Sequence, residues 1–97
     1  MNTIRFEWDD KKNKANIKKH NVSFEEAKSV FYDENARLIT DPDNSIEEER
    51  FVIIGISRKL NLLVVCHCYR ESENVIRIIS ARKAVTEEIK IYRGKLL

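Results

Sequence analysis

Three apolar, β-branched runs, Phe51 to Ser57, Leu62 to Tyr69 and Val75 to Ser80, do most to limit what this chain can fold into. Only two short polar stretches separate them, Arg58 to Asn61 and Arg70 to Asn74. A parallel crossover needs a dozen residues or more, so connections this short predict antiparallel neighbours and a β-meander. Upstream, Ile4, Phe6 and Trp8 alternate with Arg5 and Glu7, the period of a short half-buried strand, and Ala36 to Thr40 can form another.

The remaining segments read as helices. Asp9 can cap a first helix running to about residue 20, strongly polar, with Lys11, Lys12, Lys14, Lys18 and Lys19 on its surface. Five lysines on a solvated helix do not by themselves indicate RNA. Ser23 followed by Glu26 is a capping box for a second helix, and Val22 with Ala27 has the spacing of a hydrophobic staple. Phe24, Ala27, Val30 and Phe31 then form one apolar stripe suited to lie on a sheet. Asp41, Pro42, Asp43, Asn44 and Ser45 read as a turn. Thr86, Glu87 and Glu88 open a last helix, with Ile89 and Tyr92 one turn apart and Gly94 as its stop. The expected order is β-α-α-β-β-β-β-α, an α+β fold with an antiparallel sheet and helices packed on one face.

With 97 residues and no repeat or Pro/Gly/Ser linker, the chain is expected to be one domain over residues 1–97. A 42% hydrophobic fraction beside 35% charged residues argues against both a disordered chain and a membrane span. Residues 1–10 carry Arg5, Glu7, Asp9 and Asp10 and no apolar leader core, so the expected location is cytoplasmic, away from membranes. Cys66 and Cys68 flank His67; in a strand their Cα atoms would lie about 6.6 Å apart on one face, a separation that disfavours a bridge. Zinc needs about four ligands, and the only other histidine is His20. The two cysteines are therefore read as small hydrophobes of a reduced protein, with no metal and no cofactor expected.

Charge is unevenly spread. Residues 1–49 hold 8 Lys/Arg against 12 Asp/Glu, whereas residues 50–97 hold 10 against 4. A basic half suits a phosphate-bearing ligand or an acidic protein equally. The sequence has no P-loop, G-x-S-x-G, H-E-x-x-H or G-x-G-x-x-G motif. What stands out is Arg50, His67, Arg77 and Arg82 inside or beside apolar strands, where folding does not need them. Alternation puts Arg77 on the face of Val75 and Ile79, and an odd-to-odd register with the preceding strand would gather His67, Tyr69 and Arg77. Such a group could cleave a phosphodiester, arginines clamping the phosphate while His or Glu moves protons. The plainer alternative is that the arginines pair with nearby carboxylates and His67 is a semi-buried strand residue.

Phe6-Glu7-Trp8-Asp9, Asn16, Lys19 through Ala27, and Val30-Phe31-Tyr32-Asp33 together resemble the opening of the BrnT toxin family. Glu49-Arg50, Ile54-Gly55, the block Val75 through Ala84, and a terminal helix with Glu87, Glu88 and Tyr92 are similar to the rest of that family's pattern, so nearly the whole chain is covered. Asn21 replaces the glycine frequent after Lys-His, a tolerable change because Asn also enters the left-handed region. The resemblance implies a RelE-like fold and a cytoplasmic, RNA-cleaving translation inhibitor of a type II toxin-antitoxin pair. It also implies a BrnA-like ribbon-helix-helix antitoxin, with DNA reached only indirectly through that partner. Carried onto these positions, His20, Glu49, Arg50, Arg77 and Arg82 are the expected catalytic group. Arg77 and Arg82 would hold the phosphate, Arg50 would assist, and His20 or Glu49 would serve as base or acid. Tyr92, Lys83 and His67 are the expected RNA contacts.

The leading expectation is a metal-independent endoribonuclease, acting on RNA alone or on the ribosome. The competing one is a non-catalytic module of the same fold that engages an antitoxin or another protein. Catalysis requires His20, Glu49 and the arginines to face one open groove, whereas scattered side chains favour the binder. An autonomous DNA-binding protein is the poorest reading, since no compact basic recognition helix is present.

Overall fold

The computed structural model describes residues 3–40, 49–70 and 74–94. The turn read at Asp41 to Ser45 lies outside the described residues. The elements are β1 (Arg5–Glu7), α1 (Asp10–His20), α2 (Phe24–Ser29), a 3-10 turn (Val30–Tyr32), β2 (Arg37–Thr40), β3 (Phe51–Ile56), β4 (Leu62–Arg70), β5 (Val75–Lys83) and α3 (Thr86–Gly94). Local chemistry sets the helix ends. The Asp9 carboxylate accepts from the backbone N–H groups of Lys11 and Lys12, and Asn21 closes α1 at φ 59°. Ser23 Oγ accepts from Glu26 N at 3.0 Å and so caps α2.

The other half of the expected capping box is not made. Glu26 is buried, and its carboxylate instead accepts from Ser57 Oγ at 2.7 Å and Asn61 Nδ2 at 2.8 Å. It is spent on the β3–β4 turn rather than on its own helix. Two buried polar donors in the turn would otherwise lack partners, a larger penalty than one helix N–H left to solvent.

The strands form one sheet in the order β1-β5-β4-β3-β2. β2 to β5 make the expected antiparallel meander, but β1 pairs with β5 in parallel, so the sheet is mixed rather than antiparallel. The helical section carries the chain from one edge to the other; three antiparallel turns then bring β5 back beside β1 running the same way. Beyond Arg77 the β1 side of β5 is closed by a side chain from α1. Asn16 accepts from Ala81 N at 3.1 Å and donates to Ala81 O at 2.8 Å, while also donating to Val22 O. One carboxamide thus takes the place of a strand residue at this edge.

Side-chain alternation divides the sheet into two faces. Ile53, Leu63, Val65, Ile76, Ile78 and Ala81 pack against Val22, Phe24, Ala27 and Val30 of the α2 region. Ile54 and Val64 face the opposite way and pack against Tyr92 of α3. The helices therefore occupy both faces, not one as expected, because Tyr92 meets the even-numbered residues of β3 and β4 and α2 the odd-numbered ones. Gly55 permits the close approach of the 3-10 turn to β3: a Cβ there would meet Val30 Cγ1 at 2.9 Å. No helix among the described residues is long and apolar enough to cross a membrane.

Candidate functional site

Register decides which of the expected site residues meet. Between Cys66 and His67 the β4–β5 ladder carries an irregularity: Cys66 opposes Ser80, but His67 opposes Ile78 and Cys68 opposes Arg77. The shift leaves Ile79 without an opposite residue and turns Arg77 onto the face of Cys66 and Cys68. His67 and Tyr69 go to the other face, with Ile76 and Ile78. The expected grouping of His67, Tyr69 and Arg77 is thus undone by one extra residue.

His67 is fully buried among Phe31, Phe51 and Tyr69, with its ring edge-on to Phe31 at 4.8 Å between centroids. Its Nδ1 lies 3.3 Å from the Val65 carbonyl, so that nitrogen is the donor, and Nε2 accepts from the Tyr69 hydroxyl at 3.4 Å. Burial pushes its pKa down to about 4. A neutral imidazole inside the core has no access to RNA, which corrects the contact expected of it. The uninterrupted apolar run around it was the available signal, since a strand covered on both faces reads this way.

Tyr92 is likewise 6% exposed, and its hydroxyl donates to Asp33 Oδ2 at 2.8 Å, so it is a packing residue rather than a surface for RNA. Arg82 stands beside α3 and is engaged twice by Glu88, at 2.8 and 2.6 Å. That two-pronged contact, opposed by partial burial, raises the Arg82 pKa and correspondingly lowers that of Glu88. Lys83 is exposed at the end of β5. His20, part-exposed, ends α1 one turn beyond Asn16. Glu49 is exposed ahead of β3, and Arg50 beside it is half-buried with its Nε enclosed and without a hydrogen-bond partner. Arg77 and Arg82 share a face but are five residues apart along β5, roughly 15 Å. The two arginines therefore do not clamp one phosphate between them.

A different group does form. On the sheet face that Arg77 shares with Cys68, Glu7 stands opposite Arg77, and Arg5 and Arg70 flank Val75 in the next row. One Glu7 oxygen lies 3.0 Å from Arg77 Nη1 and 3.6 Å from Arg70 Nε. The group is open to solvent: Arg77, Glu7 and Arg70 keep 29%, 41% and 50% of their side chains exposed, and Arg5 and Ser80 are exposed as well. Two guanidinium groups thus approach one carboxylate oxygen on an open face, an arrangement whose donors could also engage a phosphate. No sequence periodicity could disclose it, because Arg5 and Glu7 reach Arg77 only through the parallel β1–β5 pairing. On the other face, Ile4, Phe6, Phe31, Tyr32, Tyr69 and Ile76 line an apolar cavity of about 530 Å³, without a carboxylate or imidazole in its wall. Among the described residues no group of three or more His, Cys, Asp and Glu is placed to hold a metal ion.

The chain is thus a small α+β protein with helices on both faces of a mixed sheet and an arginine-bearing strand open to solvent. Comparison with known proteins makes this specific. Residues 8–88 match the family model described as ribonuclease toxin, BrnT, of type II toxin-antitoxin system, and the chain belongs to that family. A crystal structure of the Brucella abortus ribonuclease toxin BrnT superposes with a TM-score of 0.64 at 26% identity, covering 87% of this chain and all of that one. No curated protein matches.

Proposed function

We propose that this chain is the toxin of a type II pair and acts in the cytoplasm as a metal-independent endoribonuclease, cleaving RNA and so inhibiting translation. The observation that carries the reading is the solvent-open pair Arg77 and Arg70 on adjacent strands of a chain in a ribonuclease-toxin family. Guanidinium groups supply the positive charge that phosphoryl chemistry requires, fixed in place before the substrate arrives. Arg77 is the residue assigned to the scissile phosphate, since it projects from β5 between β1 and β4 with part of its side chain open. Arg82, held by Glu88, lies further along β5 on the same face, while Lys83, opposite Leu63, is on the other. A BrnA-like ribbon-helix-helix antitoxin is the proposed partner that neutralises the toxin and carries any contact with DNA.

The experiment is cleavage of a long RNA in EDTA by the purified chain freed of antitoxin, beside Arg77→Ala and Arg82→Ala variants verified as folded. Metal-free cleavage that Arg77→Ala loses supports the reading. Cleavage unchanged in both variants removes the arginines from the site, and loss confined to Arg82→Ala moves it next to α3. The same assay with translating ribosomes decides whether the substrate is RNA alone or RNA on the ribosome.

The spacing of Arg77 and Arg82 along β5, with Arg82 held by Glu88, favours a second reading, a non-catalytic module of this fold that binds an antitoxin or another protein. Absence of cleavage in both formats, with antitoxin binding retained, would select it.

A further inference from the structure

The charged group on the open face holds one carboxylate among its arginines. Glu7 lies on β1, an edge strand only three residues long, and its carboxylate is 41% exposed between Arg77 and Arg70. Its contact with Arg70 joins two exposed groups and contributes little to stability, whereas that with Arg77 is part-buried and also positions the guanidinium. A cation-rich anion site, on the other hand, is weakened by any carboxylate inside it unless that carboxylate takes part in the chemistry.

We propose that Glu7 is the general base of the ribonuclease, taking the proton from the ribose 2′-hydroxyl next to a phosphate held by Arg77 and Arg70. The inference rests on the ribonuclease reading above and deepens it. Geometry favours it over Glu26, Asp33 and Glu88. Glu26 is buried in its contacts with Ser57 and Asn61. Asp33 is occupied by the Ile56 and Asn35 N–H groups and by Tyr92. Glu88 is gripped by Arg82 through both oxygens. In the Glu7 contacts to Arg77 and Arg70 it is one oxygen, Oε2, that both guanidiniums approach. A carboxylate in this position meets the requirement that a base stand within hydrogen-bond reach of the proton it removes.

The reaction balances without a metal or a further cofactor. As Glu7 accepts the 2′ proton, the 2′ oxygen forms a bond to phosphorus and the bond from phosphorus to the 5′ oxygen breaks. The 5′ oxygen takes a proton from solvent, leaving a 2′,3′-cyclic phosphate and a 5′-hydroxyl end, and protonated Glu7 returns its proton to water. The charge that builds on the phosphate oxygens is met by the Arg77 and Arg70 guanidiniums.

The test compares wild-type chain with Glu7→Gln and Glu7→Asp, using one RNA for cleavage and its 2′-O-methyl counterpart, which cannot be cleaved this way, for binding. Glu7→Gln is expected to cleave about 10²–10⁴-fold more slowly, the usual worth of a general base. Binding of the 2′-O-methyl RNA should be undiminished or tighter, because a negative charge has left an anion site. Glu7→Asp, which keeps the carboxylate, should retain a reduced rate well above that of Glu7→Gln. A Glu7→Gln rate within tenfold of wild type overturns the inference, and so does a parallel loss of binding and cleavage, which would make Glu7 only a strut for Arg77. Wild type that cleaves neither RNA nor RNA on translating ribosomes overturns the ribonuclease reading itself, and the base with it.

Discussion

The Tyr92 hydroxyl donates to Asp33 Oδ2 at 2.8 Å across 59 residues of sequence, tying the helix on one face of the sheet to the turn on the other. Asp33 also accepts from the backbone N–H of Ile56 and Asn35, so a single carboxylate joins α3, the end of β3 and the 3-10 turn. Gly55 leaves it room, since a Cβ there would stand 3.1 Å from the same oxygen. Partial burial works against the charge on Asp33, yet the three donors outweigh it and hold its pKa below the usual value. Burial first, and then Asp33, push the Tyr92 phenol up to about 12.

Tyr92→Phe is expected to lower stability by about 1.5–3 kcal/mol, the range for one hydrogen bond to a charged group. Urea unfolding at pH 7 measures it. The wild-type phenol adds stability that is complete below pH 10 and is lost as the pH rises from 10 to about 12, because the unfolded chain ionises first. The variant should lack that slope; an identical alkaline slope in both would show that the contact does not persist in solution.

Glu26 gives the corresponding prediction at acid pH. Burial alone would raise its pKa, but the Asn61 and Ser57 hydrogen bonds, aided by Lys59 and Lys83, bring it below 4.5. Its contribution to stability is therefore full above the ordinary value and lost as the pH falls through the lowered one. Glu26→Ala leaves the Ser57 and Asn61 donors without this partner and should cost about 2–3 kcal/mol at pH 7, read by chemical denaturation.

His67 should behave as a core residue. An unfolded imidazole protonates near 6.5 and the folded one near 4, so stability falls as the pH drops from 6.5 toward 4. His67→Phe is expected to flatten that part of the stability profile while RNA cleavage stays within about twofold of wild type. A large loss of cleavage in a folded variant would return His67 to the site.

Leu60 sits in the β3–β4 turn at φ 65° with 83% of its surface exposed, a conformation that strains a residue bearing a Cβ while its side chain buries little. Leu60→Gly should stabilise the chain by about 0.5–1 kcal/mol, the relief of strain outweighing the added freedom of the unfolded glycine. A shift in thermal midpoint measures it, and a drop would mean that the Leu60 side chain has a docking role.

Much of this architecture was legible because it is local. Asp9 and Ser23 stand next to the N–H groups they cap, Asn21 takes the left-handed position at the end of its own helix, and the β-branched runs become strands separated by the turns that bound them. The family was legible for a related reason, as its motifs are contiguous stretches of chain. The candidate site was not. Arg77 was singled out as a charge out of place on a strand, but its neighbours Glu7 and Arg70 come from β1 and β4, and the helix-capping role read for the Glu26 side chain gave way to partners 31 and 35 residues away.

What the amino-acid order determined by itself was the succession of strands and helices and where each begins, since those depend on interactions reaching a few residues. Only the tertiary structure decided that β1 runs parallel to β5, that α3 takes the opposite face from α2, and that His67 enters the core while Arg77 looks outward. The reason lies in the two-residue period of a strand. One extra residue at Ile79 reverses the face of every side chain beyond it, and whether the ladder accepts that residue is settled by packing between segments far apart in sequence.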